Sequence, residues 1–365
     1  SPHIHPLKTK VKKPKTKGTK ADSVEKVTVA DLLPSLEKTD FKLNEQPYSS
    51  LFKIYQKEFL EISVSTGLIH ADALALAGDG TPVVTSHRER KKCICKCKEN
   101  GIHDCNCERY FSQPDCDIGW DSSRDCYYQG YDLYMLVDSQ SDLPVFPHFS
   151  CASKHDSHGF LHAFFRMKSF LPEYSVSKVL LDSAHDAMPY YQYFKRENIT
   201  PFIDLNGKGG RSPVYKNDFT IDKDGVPICP SGFRMRRDGI EVAKGRMKFK
   251  CPKISHAGGC ISCTCESPCS NAKYGRTVHL VLKDNPRLFN NPPRSSKEWK
   301  LEYNARTSAE RSNKREKLDF KLEDGRHRST KMWYCRLYHI LMLQHLDAWN
   351  LPSESTLKKM ILDVA

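Results

Sequence analysis

Leu74-Ala-Leu-Ala-Gly-Asp79-Gly-Thr81 is an apolar run that reaches a carboxylate, and Val179-Leu-Leu-Asp182-Ser183 repeats the arrangement further along. Short apolar runs bounded by turn-forming residues read as buried strands. The first is expected over 73–78 and the second over 176–181, with Asp79 and Asp182 at their ends. Between them, Tyr-Asp-Leu-Tyr-Met-Leu-Val-Asp at 131–138 and Pro-Val-Phe-Pro-His-Phe-Ser-Cys-Ala at 144–152 read as two more strands. Asp156 or Ser157 is suited to cap a helix running to about Leu171. A helix over 186–197 and a strand over 200–204 complete a β-β-β-α-β-α-β series. A meander followed by crossovers implies an α/β fold: a mixed five-stranded sheet with helices on both faces. In a strand order 3-2-1-4-5, the first and fourth strands are neighbours, and the two aspartates sit side by side.

A third carboxylate lies on the segment Trp299 to Lys317. An α-helix advances about 100° per residue, so Arg306, Glu310 and Lys317 fall at about −60°, −20° and −40° from Tyr303. Trp299 falls at about −40° on the same stripe. A carboxylate, two cations and a phenol on one face make a poor hydrophobic core. They suit a metal ion held beside a phosphate. The plainer reading is an exposed helix laced by Glu–Arg pairs, which leaves the two aspartates unexplained.

The chain has 365 residues and a formal charge of +13, which points toward nucleic acid or another polyanion. Lys8 to Lys20 holds seven lysines, yet the remainder is still basic. Residues 1–45 read as a basic flexible tail or linker, and the opening on Ser-Pro-His suggests a fragment. Apolar residues at helical spacing predict a helix over 48–66. No run approaches the ~20 apolar residues of a bilayer span, so no membrane is expected. Residues 46–206 read as the first part of the α/β domain, interrupted by a Cys-rich insertion at about 88–127. Residues 207–293 read as a β-rich insertion with its own cysteines, 294–350 as closing helices (about 295–320 and 329–347), and 351–365 as a tail.

The 15 cysteines cluster. Cys93, Cys95, Cys97, Cys105 and Cys107 lie in the first insertion; Cys251, Cys260, Cys263, Cys265 and Cys269 lie in the second. CxC and CxxC spacing with no secretory signal favours structural Zn²⁺ over disulfides, and reduced thiols are the alternative.

Tyr303-x2-Arg306-x3-Glu310-x6-Lys317 resembles the Y-R-E-K signature of insertion-sequence DDE transposases, whose catalytic domain is RNase H-like. Gly78-Asp79-Gly80-Thr81 and Leu181-Asp182-Ser183-Ala184-His185-Asp186 resemble the two aspartate motifs of that family, and the insertion before the last carboxylate resembles its β-strand insertion. The likeness covers about residues 70–350. It implies that Asp79, Asp182 and Glu310 bind two Mg²⁺ or Mn²⁺ ions, and that Tyr303, Arg306 and Lys317 contact phosphates at a transposon end. Trp299 then stacks on an unpaired base, or else packs against the insertion. The implied activity is cleavage at transposon ends and transfer of the 3′-hydroxyl into target DNA, by a homodimer on double-stranded DNA in a prokaryotic, nucleoid-associated cytoplasm. A structure-selective nuclease on the same fold and a zinc-stabilised DNA-binding protein derived from a transposase are the alternatives. His155-Asp156-Ser157 reads as a helix cap or as part of the site; His185 and Asp186 tune a metal or begin a helix. Lys208, Arg211, Arg234, Arg236 and Arg237 form a DNA-facing surface or a merely solvated one.

Overall fold

The computed structural model describes residues 27–46, 48–85, 92–93, 95–105, 107, 109–110, 116–207, 214–215, 219–253, 265–266, 269–270, 272 and 275–350, with backbone only at 92–93, 109–110 and 214–215. The expected tail ends sooner than residue 45. Residues 1–26 lie outside the described residues, but Val29–Glu37 form a helix, α1, started by a reciprocal capping box between Thr28 and Asp31. Its Leu33 and Leu36 are buried in the main core, so an apolar face holds it down. The next helix runs as α2 (Ser49–Tyr55), a π-turn (Gln56–Leu60) and α3 (Glu61–Ser65).

β1 (Leu74–Val84) leads into the Cys-rich segment, where β2 (Lys92–Cys93) and β3 (Arg109–Tyr110) pair. The chain returns in β4 (Asp117–Asp121), β5 (Cys126–Asp138) and β6 (Pro144–Cys151). Then come α4 (Asp156–Phe170), β7 (Val176–Leu181), α5 (Met188–Arg196) and β8 (Thr200–Ile203). The long strands lie in the order β6-β5-β1-β7-β8, which is the 3-2-1-4-5 order expected from the sequence. β5 is antiparallel to β1 and β6, whereas β1, β7 and β8 are parallel. β4 pairs with the first residues of β5 on the side away from β1, so the sheet has six strands and not five. Asp79 lies in mid-strand and not at the end of β1, because β1 follows the long β5 as far as the pair Val84–Gly130.

Side chains alternate across a strand. A Cβ at Gly78 or Gly80 would meet Tyr134 or Asp156, so these glycines face α4. Asp79 faces the opposite way, toward the closing helices.

The insertion holds two small antiparallel sheets: β9 (Val214–Tyr215), β10 (Phe219–Ile221) and β11 (Pro227–Ile228); and β12 (Arg236–Glu241), β13 (Arg246–Lys250) and β14 (Thr277–Val281). Phe219, Met235, Met247, Phe249 and Leu280 belong to a hydrophobic cluster of their own. The closing helices are α6 (Lys297–Asn304), α7 (Thr307–Lys314) and α8 (Thr330–Asn350). The single helix expected over 295–320 is therefore interrupted. Arg306 N–H bonds to Tyr303 O (2.9 Å) and Ala309 N–H to Arg306 O (3.1 Å), a tight i→i+3 turn between α6 and α7. Past α7, a π-turn spans Arg315–Asp319, closed by Phe320 N–H on Arg315 O (3.0 Å). No helix among the described residues is long and apolar enough to cross a membrane.

Candidate active site

Asp182 is the first residue past β7 and caps the 3₁₀ turn Ser183–His185, accepting from the Ala184 N–H at 3.1 Å. His185 Nδ1 lies 2.6 Å from its carboxylate, and Nε2 lies 2.9 Å from the Tyr134 hydroxyl. Both contacts are satisfied when Nδ1–H donates to Asp182 and Tyr134 O–H donates to Nε2. The ring is 1% exposed, wedged among Tyr134, Phe160 and Tyr190. The space for Tyr134 comes from β1: a Cβ at Gly78 would lie 2.6 Å from its hydroxyl oxygen. One small residue thus lets a tyrosine orient a histidine that orients an aspartate. Burial alone raises the Asp182 carboxyl, but the His185 hydrogen bond, the Ala184 N–H and Arg306 override it and hold it below the usual value.

The β1–β7 register pairs Ala77 with Leu180; two residues further, it brings Asp79 level with Asp182. Asp79 Oδ2 accepts from Asn313 Nδ2 on α7 at 3.1 Å. Burial raises its carboxyl to about 7; Asp156, Asp182 and Glu310 add to the rise and Arg306 opposes it. Asp79, Asp182 and Glu310 thus share one electrostatic neighbourhood. Glu310, however, is half-exposed and turned to Arg306, with Nη2 at 2.6 Å from Oε1.

The other stripe residues divide. Arg306 lies over the Tyr303 ring, 5.9 Å from its centre. Trp299 does not present a face to a base. It is 7% exposed, stacks on Tyr303 at 4.9 Å, and has Phe202 and the Arg294 guanidinium against it. Lys317 is also occupied: the π-turn sends its ammonium to Pro82 O (2.7 Å) and Glu323 (3.2 Å), which ties α7 to the end of β1. Glu323 in turn accepts from Val84 N–H (3.1 Å). On the insertion, Arg234 is spent on Asp222 and Asp224 (2.7 Å each), Arg236 and Arg237 are exposed, and Lys208 and Arg211 lie outside the described residues.

Sequence reasoning missed Asp132, Asn313 and Glu323, and of its two readings of Asp156, helix cap or part of the site, the cap does not hold. The helix cap is His155, whose Nδ1 accepts from Ser157 N–H (3.3 Å); Asp156 begins α4 and faces the sheet. The period-two pattern carried a usable signal. Asp132 is two residues from Tyr134 on a strand, so it shares the Tyr134 face.

In the Cys-rich segment, the four sulfurs of Cys95, Cys97, Cys105 and Cys107 lie within 4.8 Å of one another. Cys95 and Cys105 are 3.4 Å apart, and Cys97 and Cys107 3.5 Å. A turn carries the chain between the two CxC pairs: Ile102 N–H bonds to Cys97 O (2.8 Å), and Gly101 takes φ +75. This quartet could hold a metal such as zinc. Hydrogen bonds from Cys95 and Cys107 push the Cys97 thiol up to about 12. The Cys93 side chain, Cys260 and Cys263 lie outside the described residues, while Cys251 is buried and Cys265 and Cys269 are half-buried. Among the described residues the quartet is the group of three or more His, Cys, Asp or Glu that closes to 4.8 Å; the carboxylate trio does not. No protein-family model matches this chain, and no curated protein does.

Proposed function

We propose that this chain is a DNA transposase of the DDE kind, built on an RNase H-like sheet, that cleaves at element ends and joins the 3′-hydroxyl to target DNA. One observation carries the reading: the parallel β1–β7 register, extended by two residues, brings Asp79 in β1 level with Asp182 just past β7, and α7 brings Arg306 and Glu310 into the same field. The strand order and the +13 charge support it further. The donor set suits hard divalent cations: the residues are acidic, and Asp79 ionises only near 7 unless a cation stands beside it. Asp79, Asp182 and Glu310 would hold two Mg²⁺ or Mn²⁺ ions. When bound, such ions activate a water or 3′-hydroxyl and stabilise the departing oxygen of a phosphodiester. His185 fixes the orientation of Asp182; Arg306 holds Glu310 and offers charge to a phosphate. Lys317 acts on DNA only by exchanging Glu323 for a phosphate. A homodimer would engage two ends, and the Cys quartet would be structural.

The test is cleavage of DNA carrying the element's terminal repeats, with Mg²⁺ or Mn²⁺, by wild type and Asp182→Ala. The expected result is metal-dependent 3′-hydroxyl ends and joined products from wild type, falling by about 10³ or more in the variant with DNA binding kept. Cleavage retained by Asp182→Ala would sink the assignment, and nicking without joining would point to a nuclease. The turn of Glu310 toward Arg306 favours a second reading, a zinc-stabilised DNA-binding protein; binding without cleavage by wild type would select it.

A further inference from the structure

On the other face of the sheet from the Asp79 side chain, a cleft of about 290 Å³ opens beside Gly80, lined by Asp132, Asp156, Trp120, Tyr128 and Lys154. Asp132 is 5% exposed, yet its Oδ2 has no hydrogen-bond partner among the described residues. A buried carboxylate oxygen left bare costs free energy unless something outside the protein meets it. Gly80 makes the room. A Cβ there would lie 2.9 Å from Asp156 Oδ1 and 3.4 Å from Asp132 Oδ1, so two carboxylates converge on one small gap. Everything acting on Asp132 disfavours its charge: burial first, then Asp156 and Asp79. Lys154 lines the same cleft but is not among the groups acting on Asp132.

We propose that Asp132 and Asp156 form a separate site for a hard divalent cation, Mg²⁺ or Mn²⁺, at Gly80 behind the candidate active site. Two carboxylates with an open cleft suit an ion that keeps several of its waters. A cation here braces β1 from behind at the residue next to Asp79. The site does not depend on the transposase reading, since it is defined by binding alone.

The test uses Tb³⁺ as the probe on the full chain, with excitation of the aromatic residues, because Trp120 and Tyr128 line the cleft. Wild type and Asp182→Asn are expected to show saturable sensitised emission that Mg²⁺ or Mn²⁺ displaces. Asp132→Asn is expected to bind tenfold or more weakly, and Trp120→Phe to lose most of the emission while Mn²⁺ still binds by calorimetry. If Asp132→Asn fails to fold, Gly80→Ala, which fills the gap at 2.9 Å from Asp156, takes its place with the same expectation. Emission unchanged in the folded cleft variant, or lost in Asp182→Asn but kept in Asp132→Asn, would overturn the proposal; so would no Tb³⁺ binding at all. Asp182→Asn separates the two ideas, since it is expected to lose cleavage and keep Tb³⁺.

Discussion

Asp79 is held in place by Asn313 on one side and crowded by acids on the others, and its titration is the sharpest residue-scale consequence of the fold. Its carboxyl ionises near 3.8 when unfolded and near 7 when folded, so the folded chain binds the proton more tightly. The stability this adds is full below 3.8 and is lost as the pH rises through 7. At ~1.4 kcal/mol per pH unit the loss is about 4 kcal/mol at most. Asp79→Asn is therefore expected to stabilise the metal-free protein at pH 8 by about 1–3 kcal/mol and to do little at pH 4. Urea unfolding at both values checks this, and a difference that does not grow with pH would refute it. On the proposed function, Mg²⁺ stabilises wild type at pH 8 more than the variant.

At the scale of elements, the strands and the helical segment carrying Glu310 were legible, and the breaks in that helix were not. Strands such as Val176–Leu181 are short apolar runs with polar ends, so burial itself writes them into the sequence. The stripe from Tyr303 to Lys317 was drawn on an ideal helix. The chain instead tightens at Arg306 and widens at Arg315–Asp319, which redirects Lys317 to Pro82 and Glu323. Such breaks follow from long-range partners that no local spacing reveals. Asp182 was found because it ends an apolar strand-like run; the His185–Tyr134 relay was not, because it needs Gly78 and Tyr134 from other strands. The cysteine hairpin allows a separate prediction. Wild type should carry about one Zn²⁺ on this quartet, and Cys105→Ser should lower the metal content by about one. None of the four cysteines belongs to the main core, so the main unfolding transition should move by under ~1 kcal/mol. Metal analysis with calorimetry decides it, and unchanged zinc in Cys105→Ser would remove the site.

Across the whole molecule, a buried ion pair stands where the two hydrophobic clusters meet. Asp186, whose side chain is fully buried just past the Asp182 turn, receives Arg287 Nε at 2.8 Å and Nη2 at 2.6 Å. It also accepts from Tyr191 (3.0 Å) and from the Asn206 N–H (2.6 Å), so every oxygen is used. Arg287 adjoins Leu288 and Phe289, which belong to the insertion's cluster, and its Nη2 reaches Asn206 O at 3.3 Å. The pair therefore fixes the strand-to-insertion exit and the insertion-to-helix return at one point. Removing one partner strands a buried charge, which costs far more than the pair contributes. Arg287→Ala is expected to destabilise the chain by about 3–5 kcal/mol, and adding Asp186→Asn to recover at least ~1.5 kcal/mol by taking the stranded charge away. Urea unfolding of the two variants measures this. Protease cutting near 206 and 287 should rise in Arg287→Ala if the insertion is released from the sheet. An Arg287→Ala chain within ~1 kcal/mol of wild type would mean that other contacts, Arg294 on Ile203 O and Tyr191 among them, hold the two parts together.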